Sequence, residues 1–291
     1  MANKIQLRRG IKANLPTLSV GEPAFCTDTK ELYIGTSSGN VRMSYDTGQG
    51  VVAIDSDKLG GQLPSYYLNY TNFTNKPSIP NITVSSTDLT YYVSPTGNDS
   101  NSGTSSSSPF KTIAKAINAI PQIVNHIITI NLAVGTYNED VIIEGFCGSG
   151  QINIIGSLSA LDTTHLIKSL EVNCNSIPIS ISGLTATTTT TRGFSIENNL
   201  LVSLQYCNIT ASSNQYGYYV AASKVVIFLC QASNRSAGIY AYTLAEIYST
   251  TGSGTNNSTG LIADQGGTII KKGTQPNGTT SETVINGGVI R

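Results

Sequence analysis

The sequence predicts a mainly β protein whose larger part is a parallel β-helix, a solenoid with one coil per repeat. Three observations carry that reading. First, Gly193-Phe194-Ser195-Ile196, Gly217-Tyr218-Tyr219-Val220, Gly238-Ile239-Tyr240-Ala241 and Gly260-Leu261-Ile262-Ala263 share one pattern of glycine, apolar, any and apolar residue, at spacings of 24, 21 and 22 residues. Second, nine positions after each glycine stand Val202, Val226, Ile247 and Ile269, a β-branched column in phase with the first. Third, Ser, Thr and Asn supply 34, 34 and 25 of the 291 residues, which suits short strands divided by hydroxyl- and amide-rich turns. Each coil has too little apolar surface to fold alone, so stacking on its neighbours must make the core. A leucine-rich repeat of similar period would need recurring Leu and Asn at fixed places, and these are missing.

Each element follows in order. Residues 1–45 read as a small β-rich N-terminal head: Leu15-Pro16 and Gly21-Glu22-Pro23 mark tight turns, and Glu31-Leu32-Tyr33-Ile34-Gly35 is strand-like. Residues 46–90 read as an extended connector or stalk, because Gly48, Gly50, Gly60, Gly61, Pro64, Pro77 and Pro80 interrupt every short apolar run. The β-helix occupies 91–291. It opens with a short strand at Tyr91-Tyr92-Val93-Ser94 and a polar loop over 95–109. Apolar residues at 110, 113, 116, 117 and 120 then follow helical spacing, with Pro109 in the allowed first turn. This one capping helix, over 110–120, covers the open N-terminal end of the solenoid and its unpaired strand edges. With strands roughly 4.8 Å apart, about seven coils after residue 127 give a rod on the order of 35 Å long.

Charge narrows the function. Seventeen basic groups balance seventeen acidic ones, and only 12% of residues are charged, about half of the roughly 25% usual for soluble domains. Zero net charge excludes a nucleic-acid binder that works by neutralising phosphates. No run of about 18 apolar residues is present, so no membrane insertion is expected. Met1-Ala2-Asn3-Lys4 lacks an apolar signal core, so export by the usual secretory route is not expected either. Cys26, Cys147, Cys174, Cys207 and Cys230 are odd in number and show no CxxC pair, which predicts reduced, buried thiols and argues against a disulfide framework or a zinc site. The one local charge excess lies in the head, where Lys4, Arg8, Arg9, Lys12, Lys30 and Arg42 outnumber Glu22, Asp28 and Glu31.

Catalysis on a β-helix face would need carboxylates about 5–10 Å apart. Counted from the repeat glycines, Glu197 and Asp264 share a column but stand three coils apart, roughly 14 Å by the strand spacing. Glu139 and Asp140 are adjacent and point to opposite faces of a strand. Glu144, Asp162, Glu171, Glu246 and Glu282 complete the acids of residues 127–291, and solvated turns are their expected setting. Neither His126 nor His165 has a ligand-spaced Cys or acid, so no metal or other cofactor is expected. Asn98-Asp99-Ser100-Asn101-Ser102-Gly103 alternates oxygen-bearing side chains like a calcium loop, but position 108 is Ser where a closing Glu would stand, so an Asx/Ser turn is expected. Tyrosine is more informative: seven of the 15 fall between Tyr206 and Tyr248. Strand alternation sends the third repeat position outward, where Ser195, Tyr219, Tyr240 and Ile262 follow one another, with Tyr242 close by. Such a ladder can hold a sugar ring, pack on a sister subunit, or stand idle. Cys207 and Cys230 fall 14 and 13 residues after their glycines, which places them near one another on adjacent coils.

Three segments carry a resemblance. Gln6-Leu7-Arg8-Arg9-Gly10, Asn14-Leu15-Pro16, Gly21-Glu22-Pro23-Ala24-Phe25 and Thr27-Asp28-Thr29-Lys30-Glu31-Leu32-Tyr33-Ile34-Gly35 resemble the N-terminal module of phage tail fibres and tropism determinants. Asp57-Lys58-Leu59-Gly60-Gly61-Gln62, Pro64-Ser65-Tyr66-Tyr67 and Asn75-Lys76-Pro77 are similar to connector motifs of the same fibres. Tyr92-Val93-Ser94, Gly97-Asn98-Asp99, Asn101, Gly103-Thr104 and Pro109-Phe110-Lys111-Thr112-Ile113 resemble the opening of pectate-lyase-like, right-handed parallel β-helices. The resemblance implies a tail fibre or tailspike component of the virion tail, assembled in the host cytoplasm, usually as a homotrimer. It implies attachment to phage tail or baseplate proteins through the head, whose local charge makes Arg8, Arg9 and Lys12 candidate contacts for an acidic tail protein or, alternatively, a solvated face. It also implies contact with the host through the distal β-helix, where the outward tyrosine ladder makes Tyr219, Tyr240 and Tyr242 candidate contacts for a bacterial cell-surface glycan. No enzymatic activity is expected. The alternatives are a tailspike depolymerase that cleaves a surface polysaccharide and a purely structural fibre spacer.

Overall fold

A computed structural model describes residues 7–43, 64–69, 72, 82–159, 161 and 163–291. The chain divides into two compact units, Met1–Ile79 and Pro80–Arg291. Most of the expected connector, including the motifs at 57–62 and 75–77, lies outside the described residues; within it, Pro64–Tyr67 form one helical turn.

In the first unit, strands Arg8–Gly10, Pro23–Cys26, Leu32–Thr36 and Gly39–Arg42 form a sheet in that order. The first pair is parallel and the other two are antiparallel. The turn at 19–22 closes as its residues suggest: the Glu22 N–H donates to the Ser19 carbonyl at 2.9 Å, and Gly21 takes φ +83°. Leu18, Ala24, Cys26 and Tyr33 make the small core. Glu31 is the electrostatic hub of this unit. Bonds from Lys12 and Arg42, then Thr29 and Tyr33, hold its carboxyl at a pKa of about 2.

The second unit is a parallel solenoid. Each of seven coils lays one strand in each of two long sheets, of seven and nine strands, the longer sheet having two further strands at its N-terminal edge, and most add a short strand to a third sheet of five. One coil runs Phe194–Glu197, Val202–Gln205 and Asn208–Ile209; the next runs Tyr218–Ala221, Lys224–Phe228 and Gln231–Ala232. All three pairings between them are parallel. Alternation turns every second residue inward, so Phe194, Tyr218, Ile239 and Leu261 stack as one buried column. The rings of Phe194 and Tyr218 lie 5.2 Å apart. Burying each such side chain contributes about 1.5–3 kcal/mol, which makes these columns the main source of stability.

The second column needs one correction. Val202 is followed by Val225, Ile247 and Ile269, not by Val226. The turn after Ala221 is one residue shorter than its neighbours, so Val226 opposes Ser203 and faces outward. Polar stacking organises the corners. The Asn199 side-chain oxygen accepts from the Asn175 N–H at 3.1 Å, and the Ser223 hydroxyl accepts from the Asn199 N–H at 2.9 Å. An apolar residue here would leave a buried amide unpaired, at about 1–3 kcal/mol. At the next corner Gly183, Tyr206, Leu229, Thr251 and Gly273 adopt left-handed φ between 51° and 71°, one per coil. A Cβ on Gly183 would meet the Ser157 nitrogen at 2.2 Å, so this coil requires glycine.

The helix spans Ile113–Asn118 and is shorter than the expected 110–120. Phe110 is held in sheet-like backbone, bridged to Val93, and its N–H donates to the Tyr92 carbonyl at 2.9 Å. Thr112 is extended and caps the helix by accepting from the Lys115 N–H at 3.1 Å. Ile113, Ala116 and Ile117 are buried against the strands Leu89–Val93 and Asp140–Glu144, so the helix packs over the first coils. The loop at 98–103 is an Asx turn, in which the Asn98 side-chain oxygen accepts from the Ser100 N–H at 2.9 Å. Asp99 accepts from the N–H groups of Lys111 and Thr112. The five thiols are not all buried: Cys147 and Cys174 are exposed, each lying just beyond a strand end.

The solenoid begins upstream of residue 91. Its first strand is Leu89–Val93, and the residues before it are tied in: the Asn125 N–H donates to the Ser85 hydroxyl at 2.8 Å, and the Ile127 N–H to Asp88 at 2.9 Å. His126 Nδ1 bonds within the same segment, 3.0 Å from the Ser85 carbonyl. A fragment Pro80–Arg291 is therefore expected to melt where the solenoid of the full chain melts. One beginning at Tyr91 is expected to be less stable by about 2–4 kcal/mol through the lost bonds. Denaturant titrations followed by circular dichroism check this, and equal stability of the two fragments would contradict it.

Candidate functional site

Where the inward residues of a strand are apolar, its outward residues carry the chemistry. The strands Asp140–Glu144, Ser169–Asn173 and Phe194–Glu197 lie in register, so Asp140 opposes Ser169, Glu171 opposes Ser195 and Asn173 opposes Glu197. Asp140, Glu171 and Glu197 therefore form a diagonal in which each lies one coil and two residues beyond the last. By the strand spacing and the rise per residue, each step is about 8 Å between Cα atoms. They line an open cleft of about 800 Å³ whose other walls are Lys168, the loop 187–191, Arg192 and Gln215.

That loop is five consecutive threonines. The Thr188 N–H donates to the Lys168 carbonyl at 2.9 Å, and the Thr187 hydroxyl to the Ile167 carbonyl at 2.9 Å. The Thr188 hydroxyl lies 2.8 Å from that of Thr191 and accepts from the Thr191 N–H. Thr188 is thus an internal staple, whereas the exposed hydroxyls of Thr189 and Thr190 have no partner among the described residues. Beyond the loop, Arg192 donates from Nη1 to Glu197 at 2.7 Å and to the Ser195 hydroxyl at 3.1 Å. The Ser169 hydroxyl donates to Asp140 at 2.6 Å. Lys168 and Glu171 have no ion-pair partner among the described residues.

The tyrosines back this wall. Register places Ser195, Tyr219, Tyr240 and Ile262 in one outward column, as alternation requires. They are not an open ladder, however: Tyr219 is only 6% exposed and Tyr240 only 9%. The Arg192 guanidinium carbon lies 3.4 Å from the Tyr219 ring centre, and Tyr216 packs 4.5 Å from Tyr240 between centroids. Tyr242 closes the cluster at 5.8 Å from Tyr240 and stays half-exposed. The Tyr240 hydroxyl donates to Asp264 at 2.7 Å, a bond that lowers the Asp264 pKa. Desolvation raises the Tyr219 phenol pKa, with the Arg192 charge opposing it. Tyr219 and Tyr240 are thus a small satellite core that holds Arg192 in place. They do not form a free sugar platform.

The other expected residues fall elsewhere. Glu139 precedes the strand that begins at Asp140, and its two oxygens accept from the Ile113 and Ala114 N–H groups at 3.0 and 2.9 Å, capping the helix. His165 is buried. Cys207 and Cys230 are buried and adjacent, and burial pushes the Cys207 thiol pKa up. In the first unit, Lys12 is engaged with Glu31 at 2.8 Å and Arg8 with Glu22 at 2.8 Å, while Arg9 is exposed without a partner among the described residues. Arg8 and Arg9 border a cavity of about 370 Å³ floored by Leu15, Pro16 and Phe25.

Lys168, Arg192, Gln215 and the loop 187–191 were not anticipated as a site. A run of five threonines followed by arginine, in a chain with few charges, is the signal that marks it. Because Tyr219 and Tyr240 are buried, replacing either by Ala is expected to destabilise the solenoid by about 2–4 kcal/mol. Thermal melts of Y219A and Y240A check this; unchanged melting would show the rings to be surface groups.

Comparison with known proteins bears on this geometry. Residues 5–36 match the family described as the major tropism determinant N-terminal domain. Residues 95–147 match a family of proteins of unknown function, DUF1565. No curated protein matches the chain. A solved rhamnogalacturonan lyase aligns at 13% identity over 69% of this chain and 74% of its own, with a TM-score of 0.26. The two family matches and the parallel solenoid fit a phage tail fibre with a β-helix.

Proposed function

We propose that this chain is the host-recognition component of a phage tail fibre, bound to the particle through residues 1–45 and to a bacterial surface glycan through the cleft of the solenoid. The observation that carries the reading is the composition of that cleft. Lys168 and Arg192 donate, Asp140, Glu171 and Glu197 accept, and the free hydroxyls of Thr189 and Thr190 do both. Such a mixture complements a neutral polyhydroxylated chain, whose hydroxyls are donors and acceptors alike. A strongly charged polymer would meet like charge on either side. The tyrosine cluster contributes by stiffening Arg192, and Tyr216 and Tyr242 supply half-exposed rings at its edge.

The reading is of binding without cleavage. The diagonal of acids brings carboxylates closer than the Glu197–Asp264 column would, but Glu197 is held by Arg192 and Ser195, which suits recognition better than proton transfer. Three solenoids packed side by side in a closed homotrimer would hide lateral faces without open polymerisation. In the first unit, Arg9 beside its apolar cavity is the contact for a tail or baseplate protein, because Lys12 and Arg8 already have acidic partners.

The test is a binding screen of the full chain against immobilised neutral oligosaccharides of hexose and N-acetylhexosamine. T189A/T190A removes two exposed hydroxyls and is expected to weaken the best-bound probe by about tenfold, from about 0.5–1.5 kcal/mol per lost bond, with the melting temperature unchanged. Reducing ends should not accumulate on that probe. Unaltered binding by the double variant would move the contact surface away from the cleft, and released reducing ends would make the chain a depolymerase.

A further inference from the structure

Arg235 lies between the strands Gln231–Ala232 and Ala237–Tyr242 and is 2% exposed. No carboxylate among the described residues pairs with it. Its Nη1 donates to the carbonyls of Thr188 and Ala211 at 3.0 and 3.1 Å, and its Nη2 to those of Thr191 and Tyr216 at 2.8 and 3.1 Å. Nε has no partner. The backbone beneath is fixed from the next coil, where the Asn257 side chain accepts the Arg235 N–H at 3.0 Å. Desolvation lowers the guanidinium pKa to about 10, so the group remains a cation at neutral pH.

A buried cation without a counter-ion is costly, and an apolar side chain of similar length would fill the same volume. What the guanidinium adds is geometry. Its planar fork meets four carbonyls at once only when the loops 187–191 and 211–216 hold one conformation. Two of those carbonyls belong to the threonine wall of the cleft, and Gln215, beside the fourth, lines the same cleft. We propose that Arg235 is a positioning residue for ligand binding: from the buried side, it locks both loops so that the Thr189 and Thr190 hydroxyls stand ready before the ligand arrives. The idea rests on the cleft as the glycan site. Fixing a loop beforehand raises affinity by removing the entropy of ordering it.

The test compares R235M and R235K with the unaltered full chain, by amide hydrogen exchange and by binding of the neutral oligosaccharide that the unaltered chain binds best. In R235M, amides of 187–192 and 211–216 should exchange about tenfold faster while those of Phe194–Glu197 and Ala237–Tyr242 keep their protection. Affinity for the oligosaccharide should fall about tenfold. R235K retains charge and stem but not the fork, and should fall between; it carries the comparison if R235M does not fold. Unchanged loop exchange, or an equal rise in the strands, would overturn the positioning role. So would loosened loops with full affinity. If the unaltered chain binds no oligosaccharide of the panel, the cleft reading itself fails; loosened loops with lost affinity are the supporting result.

Discussion

In-register stacking of parallel coils is the constraint on which everything else in the second unit depends. A single coil buries almost nothing by itself; it gains a core only when its inward residues meet those of the coils above and below. The Phe194–Tyr218–Ile239–Leu261 column shows the consequence. One residue of slip would exchange Phe194 for Ser195 and turn a whole strand inside out. The corners must therefore be accurate, which explains the Asn175–Asn199–Ser223 ladder and the left-handed residue in each coil. The short turn after Ala221 is tolerated because the register is restored within it, at Val225.

The same register builds the site. Once inward positions are committed to the core, outward positions are free to vary, and their spacing is set by the strands and not by the side chains. The cleft takes acids from three successive coils and hydroxyls from one long turn. Its walls are then stiffened from two sides: Tyr219 stacks on Arg192 from the sheet, and Arg235 holds loop carbonyls from the interior. Both supports are buried. The surface of the cleft is polar, and the groups that make it rigid are aromatic or charged groups removed from water.

The fold was readable where the repeat carries a glycine. From Gly193 onward two inward columns could be read off the spacing, with Val225 the one miss in the second. Earlier coils, such as Asp140–Glu144 and Ser169–Asn173, have no marker glycine, so the alignment of Asp140, Glu171 and Glu197 stayed hidden. Alternation correctly turned Tyr219 and Tyr240 outward but was silent on what would cover them. Their cover comes from Arg192 and Tyr216, turn residues outside the strand pattern. Helical spacing marked Phe110 as a helix residue because it is buried on the same side, although its backbone pairs as a strand. A buried arginine reaching 44 and 47 residues back leaves no local trace at all.

The central claim, that the cleft between Lys168, the threonine loop and Gln215 is where the chain meets a neutral glycan, is tested most directly by photo-cross-linking. A bound neutral oligosaccharide carrying a diazirine would be activated on the full chain and the labelled peptides located by mass spectrometry. Label concentrated on residues 187–197, with further label at Lys168 or Gln215, is the predicted result. Label confined to the outward face of the nine-stranded sheet around Phe228 and Tyr248, or to residues 7–43, would contradict it.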